Sequence, residues 1–155
     1  AALDVHRVVT GGDHARAFDA AQKGLQDAAE GVDPRIELHL LGLMAGLLMD
    51  RGDRPAARLH LLQALAGARR LSLGHAQQWL LLDWGRWLHQ SGRVDEAFRV
   101  LGCVAAQPDL QAADRATLPR LRREWGAVGD EPDPREAAGA TLNLAELLDQ
   151  ILTHA

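Results

Sequence analysis

Seven imidazoles, one thiol, two serine hydroxyls and the adjacent carboxylates Asp95 and Glu96 are where this sequence could place reaction chemistry. The histidines are His6, His14, His39, His60, His75, His89 and His154. A helix brings residues three or four apart onto one face, and no two histidines have that spacing, so no local metal pair is encoded. They read as scattered surface or half-buried rings, with a site assembled across helices left open. Asp95 and Glu96 would suit acid–base work. Carboxylates also gather in the first turn of a helix, where unpaired N–H groups carry partial positive charge, and we read this pair as a helix start. Ser72 and Ser91 both fall in expected turns, and neither sits in a Gly-x-Ser-x-Gly elbow. There is no Gly-rich phosphate loop, no His-Glu-x-x-His and no Cys-x-x-Cys. Cys103 stands alone, which excludes an intrachain disulfide or Cys-rich zinc site and suits a reducing cytoplasm. Next to an apolar stripe it reads as a buried, inert thiol. The expectation is a chain that catalyses nothing and carries no cofactor.

Arg115, Arg120, Arg122 and Arg123 form the most basic stretch, within a chain of net charge −4 whose only lysine is Lys23. Without interleaved aromatics, those arginines read as a solvated helix face or a dock for an acidic segment, and no direct nucleic-acid binding is expected. The longest apolar run, Leu40 to Met49, is too short to cross a bilayer, so no membrane is expected. Alanine and leucine dominate, tyrosine is absent, and Phe18 and Phe98 are the only phenylalanines. With few β-branched residues, the 155 residues predict one all-α domain. The chain begins at Ala1, and we expect it to be a piece of a longer protein.

The elements that would hold these side chains repeat. Gly11-Gly12-Asp13, Arg51-Gly52-Asp53 and Ser91-Gly92-Arg93 place their central glycines at 12, 52 and 92, two steps of forty. A glycine there can take the left-handed conformation that ends one helix and lets the next fold back, with Asp13 and Asp53 as N-caps. Upstream of Gly52, Leu41, Met44, Ala45 and Leu48 form one helical stripe, and Leu81, Trp84, Gly85 and Leu88 hold the same offsets before Gly92. Downstream, Ala57, Leu61 and Ala64 match Ala97, Leu101 and Val104. Large residues facing small ones predict antiparallel helix pairs in close contact. In a last, looser unit Leu118, Leu121, Trp125 and Val128 form a stripe. A break at Gly129 to Pro134 follows, and then a final amphipathic helix with Leu144, Leu147, Leu148, Ile151 and Leu152 inward.

This pattern of bulky and small positions around a Gly turn resembles the tetratricopeptide repeat. Its forty-residue step is longer than the family's usual length of about thirty-four. It is similar to the long-helix variant in the sensor regions of LuxR-type and antibiotic-pathway bacterial transcriptional regulators. The turn Leu71-Ser72-Leu73-Gly74 adds to the likeness, whereas the usual terminal proline is missing near Arg69. The resemblance implies a right-handed superhelix of antiparallel helix pairs, a TPR-like α-solenoid of about eight helices. Its units would be 1–33 (truncated), 34–73, 74–110 and 111–155 (degenerate).

In such a superhelix the first helix of each pair lines the concave side. Residues off its packing stripe would face the groove: His39, Gly42, Leu43, Gly46, Met49 and Asp50 in one unit, and Trp79, Leu82, Asp83, Arg86, His89 and Gln90 in the next. His6 and Thr10 would join them from the truncated unit, and Trp87 would pack between units. The resemblance therefore implies a module that binds a protein or peptide. The alternatives are a sensor for a small-molecule inducer and a self-association module whose apolar ends pair two copies into a homodimer.

Overall fold

The computed structural model describes residues 11–28, 31, 33–127, 129, 131 and 133–154. Among them are eight α-helices and no strand: α1 (Gly11–Ala28), α2 (Pro34–Asp50), α3 (Arg54–Arg70), α4 (Gly74–Gln90), α5 (Val94–Ala105), α6 (Ala112–Glu124), α7 (Pro134–Ala140) and α8 (Leu144–His154). No described helix is long and apolar enough to cross a membrane.

Helices begin at 34, 54, 74 and 94, so the forty-residue period of the sequence is two steps of twenty. One backbone turn closes each step. The Asp53 N–H donates to the Leu48 carbonyl (2.9 Å), Leu73 to Ala68 (3.0 Å) and Arg93 to Leu88 (2.9 Å). The residue before each donor is left-handed: Gly52 at φ 78°, Ser72 at φ 53° and Gly92 at φ 80°. This six-to-one hydrogen bond with a left-handed penultimate residue satisfies carbonyls the helix would otherwise leave bare. Asp53 then caps α3, its Oδ1 accepting from the Ala56 N–H at 3.2 Å.

Three expectations about boundaries are corrected. Gly11, Gly12 and Asp13 lie inside α1 rather than in a turn, so Asp13 is past the cap position; the helix expected before them, with His6 and Thr10, lies outside the described residues. The turn after α6 uses Gly126 (φ 80°), whose neighbour Ala127 donates to Arg122 at 2.9 Å. That glycine follows Gly92 by thirty-four residues, whereas Gly129 follows it by thirty-seven. Finally, α7 precedes the expected last helix. Asp133 caps it through the Arg135 N–H (2.9 Å) with Pro134 at its first position. Asp33-Pro34-Arg35 starts α2 in the same way. Asn143 then restarts the chain as α8, its Oδ1 accepting from Glu146 N–H.

The chain divides into two compact units, Ala1–Ala64 and Leu65–Ala155, a division that falls inside α3. In the first, α1 packs on α2. Leu41, Met44, Ala45, Leu48, Ala57, Leu61 and Ala64 are all buried, as their spacing predicts. Arg51, just past α2, lies 3.9 Å over the Phe18 ring and donates to His14 Nδ1 at 3.4 Å, tying α1 to the end of α2.

In the second unit α5 is central, with α4 on one side and α7 on the other. Leu81, Trp84, Gly85, Leu88, Ala97, Leu101 and Val104 are buried, the larger apolar side chains contributing about 1.5–3 kcal/mol each. Trp84 stacks on Trp87 with centroids 4.8 Å apart. Between α5 and α7 there is no room for side chains at two positions. A β-carbon on Gly102 would lie 2.8 Å from the Glu136 carbonyl carbon, and one on Gly139 would lie 2.7 Å from that of Arg99. The two helices therefore meet backbone to backbone.

Candidate functional site: the outer strip of α4

The seventeen residues of α4 bury Leu80, Leu81, Trp84 and Leu88 against the rest of the unit. Trp79, Asp83, Arg86 and Gln90 follow one another by four, three and four residues, which places them on one face of that helix. Trp79 is half-buried and Gln90 exposed, while the side chains of Asp83 and Arg86 keep 22% and 30% of their surface in solvent. Arg86 Nη1 is 3.5 Å from Asp83 Oδ1, an attraction across one helical turn.

Asp83 is the one acid of the strip, its pKa raised to about 6. Burial is the main cause and Asp114 of α6 adds to it, while Arg86 pulls the other way. Asp114 is itself raised by burial, with His75 at the start of α4 opposing the shift. Sequence reasoning missed Asp114 as a neighbour of Asp83 and His75 as a neighbour of Asp114, because nothing in the spacing says which helices come close to the start of α6.

Contacts between α4 and the α6 region advance together along both segments. Gln78 Nε2 donates to Asp109 at 2.9 Å near the start. Asp83 senses Asp114 in the middle. Gly85 and His89 meet Trp125 at the end, where a β-carbon on Gly85 would be 3.1 Å from the indole and the His89 ring stacks at 5.3 Å. Successive residues of α4 thus meet successive residues of the segment from Asp109 to Trp125 in the same chain order.

The remaining expected groove residues divide by burial. Leu82, Leu43 and Met49 are buried and offer little surface to an outside molecule. Their helices bury a band wider than the four-residue stripe read from the sequence. His89 is half-buried and taken up by its stack on Trp125. His39 and Asp50 are exposed on α2, and Asp50 lies 3.9 Å from His14 Nε2. Gly46, on the same side of α2, has nothing within 4 Å of a built β-carbon.

The other reactive-looking groups have structural settings. Cys103 is fully buried, its Sγ–H donates to the Leu142 carbonyl at 3.6 Å, and burial pushes the thiol up. Asp95 and Glu96 lie in the first turn of α5, Glu96 paired with Arg93 at 2.6 Å. Of the basic stretch, Arg120 pairs with Glu124, and Arg122 grips the buried Glu136 through Nε and Nη2. Among the described residues no group of His, Cys, Asp or Glu is arranged to hold a metal ion.

No family model, curated protein or solved structure matches the chain.

Proposed function

We propose that this chain is a non-catalytic tetratricopeptide-like module that binds a protein or peptide segment along the outer strip of α4. On the resemblance, it belongs to the sensor region of a bacterial transcriptional regulator. The observation that carries the reading is the strip itself: Trp79, Asp83, Arg86 and Gln90 on one helix face, with α4 met by the segment from Asp109 to Trp125 in the same chain order. First helices of successive tetratricopeptide pairs are expected to lie parallel in this way and to line a shared concave side. The thirty-four-residue step from Gly92 to Gly126 matches the family's ordinary length. Tryptophan supplies area and arginine a directional charge, the side chains that most often dominate such contacts.

The test is capture of a partner from an extract of source cells, by the chain and by its Trp79→Ala/Arg86→Ala variant. At least tenfold weaker capture by the variant supports the strip; equal capture overturns it. Two other outcomes would replace the reading: a melting temperature that rises with the concentration of a metabolite, and a scattering mass that doubles with protein concentration.

A further inference from the structure

The four equivalent turns among the described residues are not occupied by equivalent residues. Glycine fills the left-handed position at Gly52, Gly92 and Gly126, and serine fills it at Ser72. A side chain in that conformation crowds its own carbonyl, a strain that glycine avoids. The hydroxyl gives nothing back locally. Ser72 is exposed, its Oγ makes no hydrogen bond among the described residues, and Leu73 at the N-cap of α4 offers no side-chain cap. Two exposed guanidinium groups, Arg69 and Arg70, stand three and two residues before it. Three backbone bonds hold the turn: Leu71 to Gly67, Ser72 to Arg69 and Leu73 to Ala68. Of the four turns this is the strained one, so it opens most readily.

We propose that Ser72 is a phosphoacceptor for a basophilic serine kinase, and that its phosphate draws Arg69 away from Asp149. An opened turn presents an unbonded hydroxyl behind paired positive charges, which an acidic kinase cleft can hold. In the transfer, Ser72 Oγ bonds to the γ-phosphorus of a magnesium-bound nucleoside triphosphate. The bond from that phosphorus to the bridging oxygen breaks, the hydroxyl proton passes to the kinase's base, and the nucleoside diphosphate leaves. The product carries nearly two negative charges within reach of Arg69, Arg70 and the uncapped N–H groups of α4.

Arg69 now joins the end of α3 to α8, its Nη1 2.5 Å from Asp149 Oδ1 with both side chains about half in solvent. A dianion in the adjacent turn outcompetes a single exposed carboxylate for that guanidinium. Phosphorylation is thereby read out at α8, in the same compact unit.

The whole chain is incubated with a purified basophilic serine kinase and magnesium ATP, and the modified residue is located by mass spectrometry. Hydrogen exchange over residues 144–154 is then compared before and after. The expected result is one phosphate on Ser72, none on the Ser72→Ala chain or at Ser91, and exchange in α8 about two- to fivefold faster, the range for loss of an exposed ion pair. An Asp149→Asn chain should show the faster exchange already and no further change on phosphorylation. An unmodified Ser72, or a phosphorylated Ser72 with α8 exchange unaltered, overturns the proposal.

Discussion

Gly102 of α5 lies against the main chain of Glu136 in α7, so close that a β-carbon there would stand 2.8 Å from the Glu136 carbonyl carbon and 3.1 Å from the Ala140 nitrogen. Gly139 repeats the relationship from the other side, against Arg99. These two glycines set the distance between α5 and α7, because neither obstruction is a side chain that can swing away.

Gly102→Ala and Gly139→Ala should therefore each destabilise the chain by about 2–3 kcal/mol, as overpacking against backbone does. Gly46→Ala should do the reverse. Its β-carbon meets nothing within 4 Å, and α2 gains about 0.5–1 kcal/mol from the better helix former. Urea midpoints for the three variants check both signs, and a neutral Gly102→Ala would show that α5 and α7 can separate without cost.

At the turn between α3 and α4, Ser72→Gly should stabilise by about 1 kcal/mol through relief of the left-handed strain. Gly92→Ala, made in the same backbone conformation at φ 80°, should lose about as much. Thermal melts of the pair measure this directly. Equal melting temperatures for the parent and the Ser72→Gly chain would remove the reason for regarding that turn as the one that opens.

Glu136 is 7% exposed and Arg122 meets both of its carboxylate oxygens. Glu136→Leu alone leaves Arg122, partly open to solvent, without its counter-ion, so a loss of about 1–3 kcal/mol is expected. The double variant Glu136→Leu/Arg122→Met should recover most of it, since a packed apolar pair avoids the desolvation of two charges. Chemical denaturation of both variants gives the comparison, and no recovery in the double would argue that the ion pair holds α6 to α7 by geometry that apolar groups cannot reproduce.

The acids predict opposite slopes in two pH windows. Asp83, raised from 3.8 to about 6, binds more protons folded than unfolded between those values, so its contribution to stability falls as pH rises from about 4 to 6 and is flat above. Asp83→Asn should remove that slope and stabilise at neutral pH by about 1–3 kcal/mol. Asp133, lowered to about 2 chiefly by its hydrogen bonds to Arg135, contributes stability above about pH 4 that is lost as pH falls toward 2. Melting temperatures between pH 2 and 8 for the parent and both Asn variants separate the two; an unchanged slope between 4 and 6 in Asp83→Asn would return Asp83 to an ordinary surface acid.

Much of the helical framework was legible because it rests on local rules. The left-handed positions at Gly52 and Gly92, the cap at Asp53, the first-turn acids Asp95 and Glu96, and the buried stripe from Leu41 to Leu48 each follow from a few neighbouring residues. Even the turn at Gly126 was within reach, since Trp125-Gly126 ends an apolar stripe as cleanly as Gly129 does. Repetition made the same local pattern visible more than once, so the forty-residue step could be counted without knowing how one helix meets another.

Periodicity alone determined that the chain is helical, where its central turns fall, and the middle of each buried stripe, though not its full width. Only tertiary structure decided that Gly102 and Gly139 are points of backbone contact, that Asp83 answers to Asp114, and that Arg69 reaches Asp149 eighty residues away. The physical reason is range. A hydrogen-bonded turn or an amphipathic stripe is specified within four or five residues, but a carboxylate's burial and a glycine's neighbour depend on which helices come to lie together, and no short stretch of sequence states that.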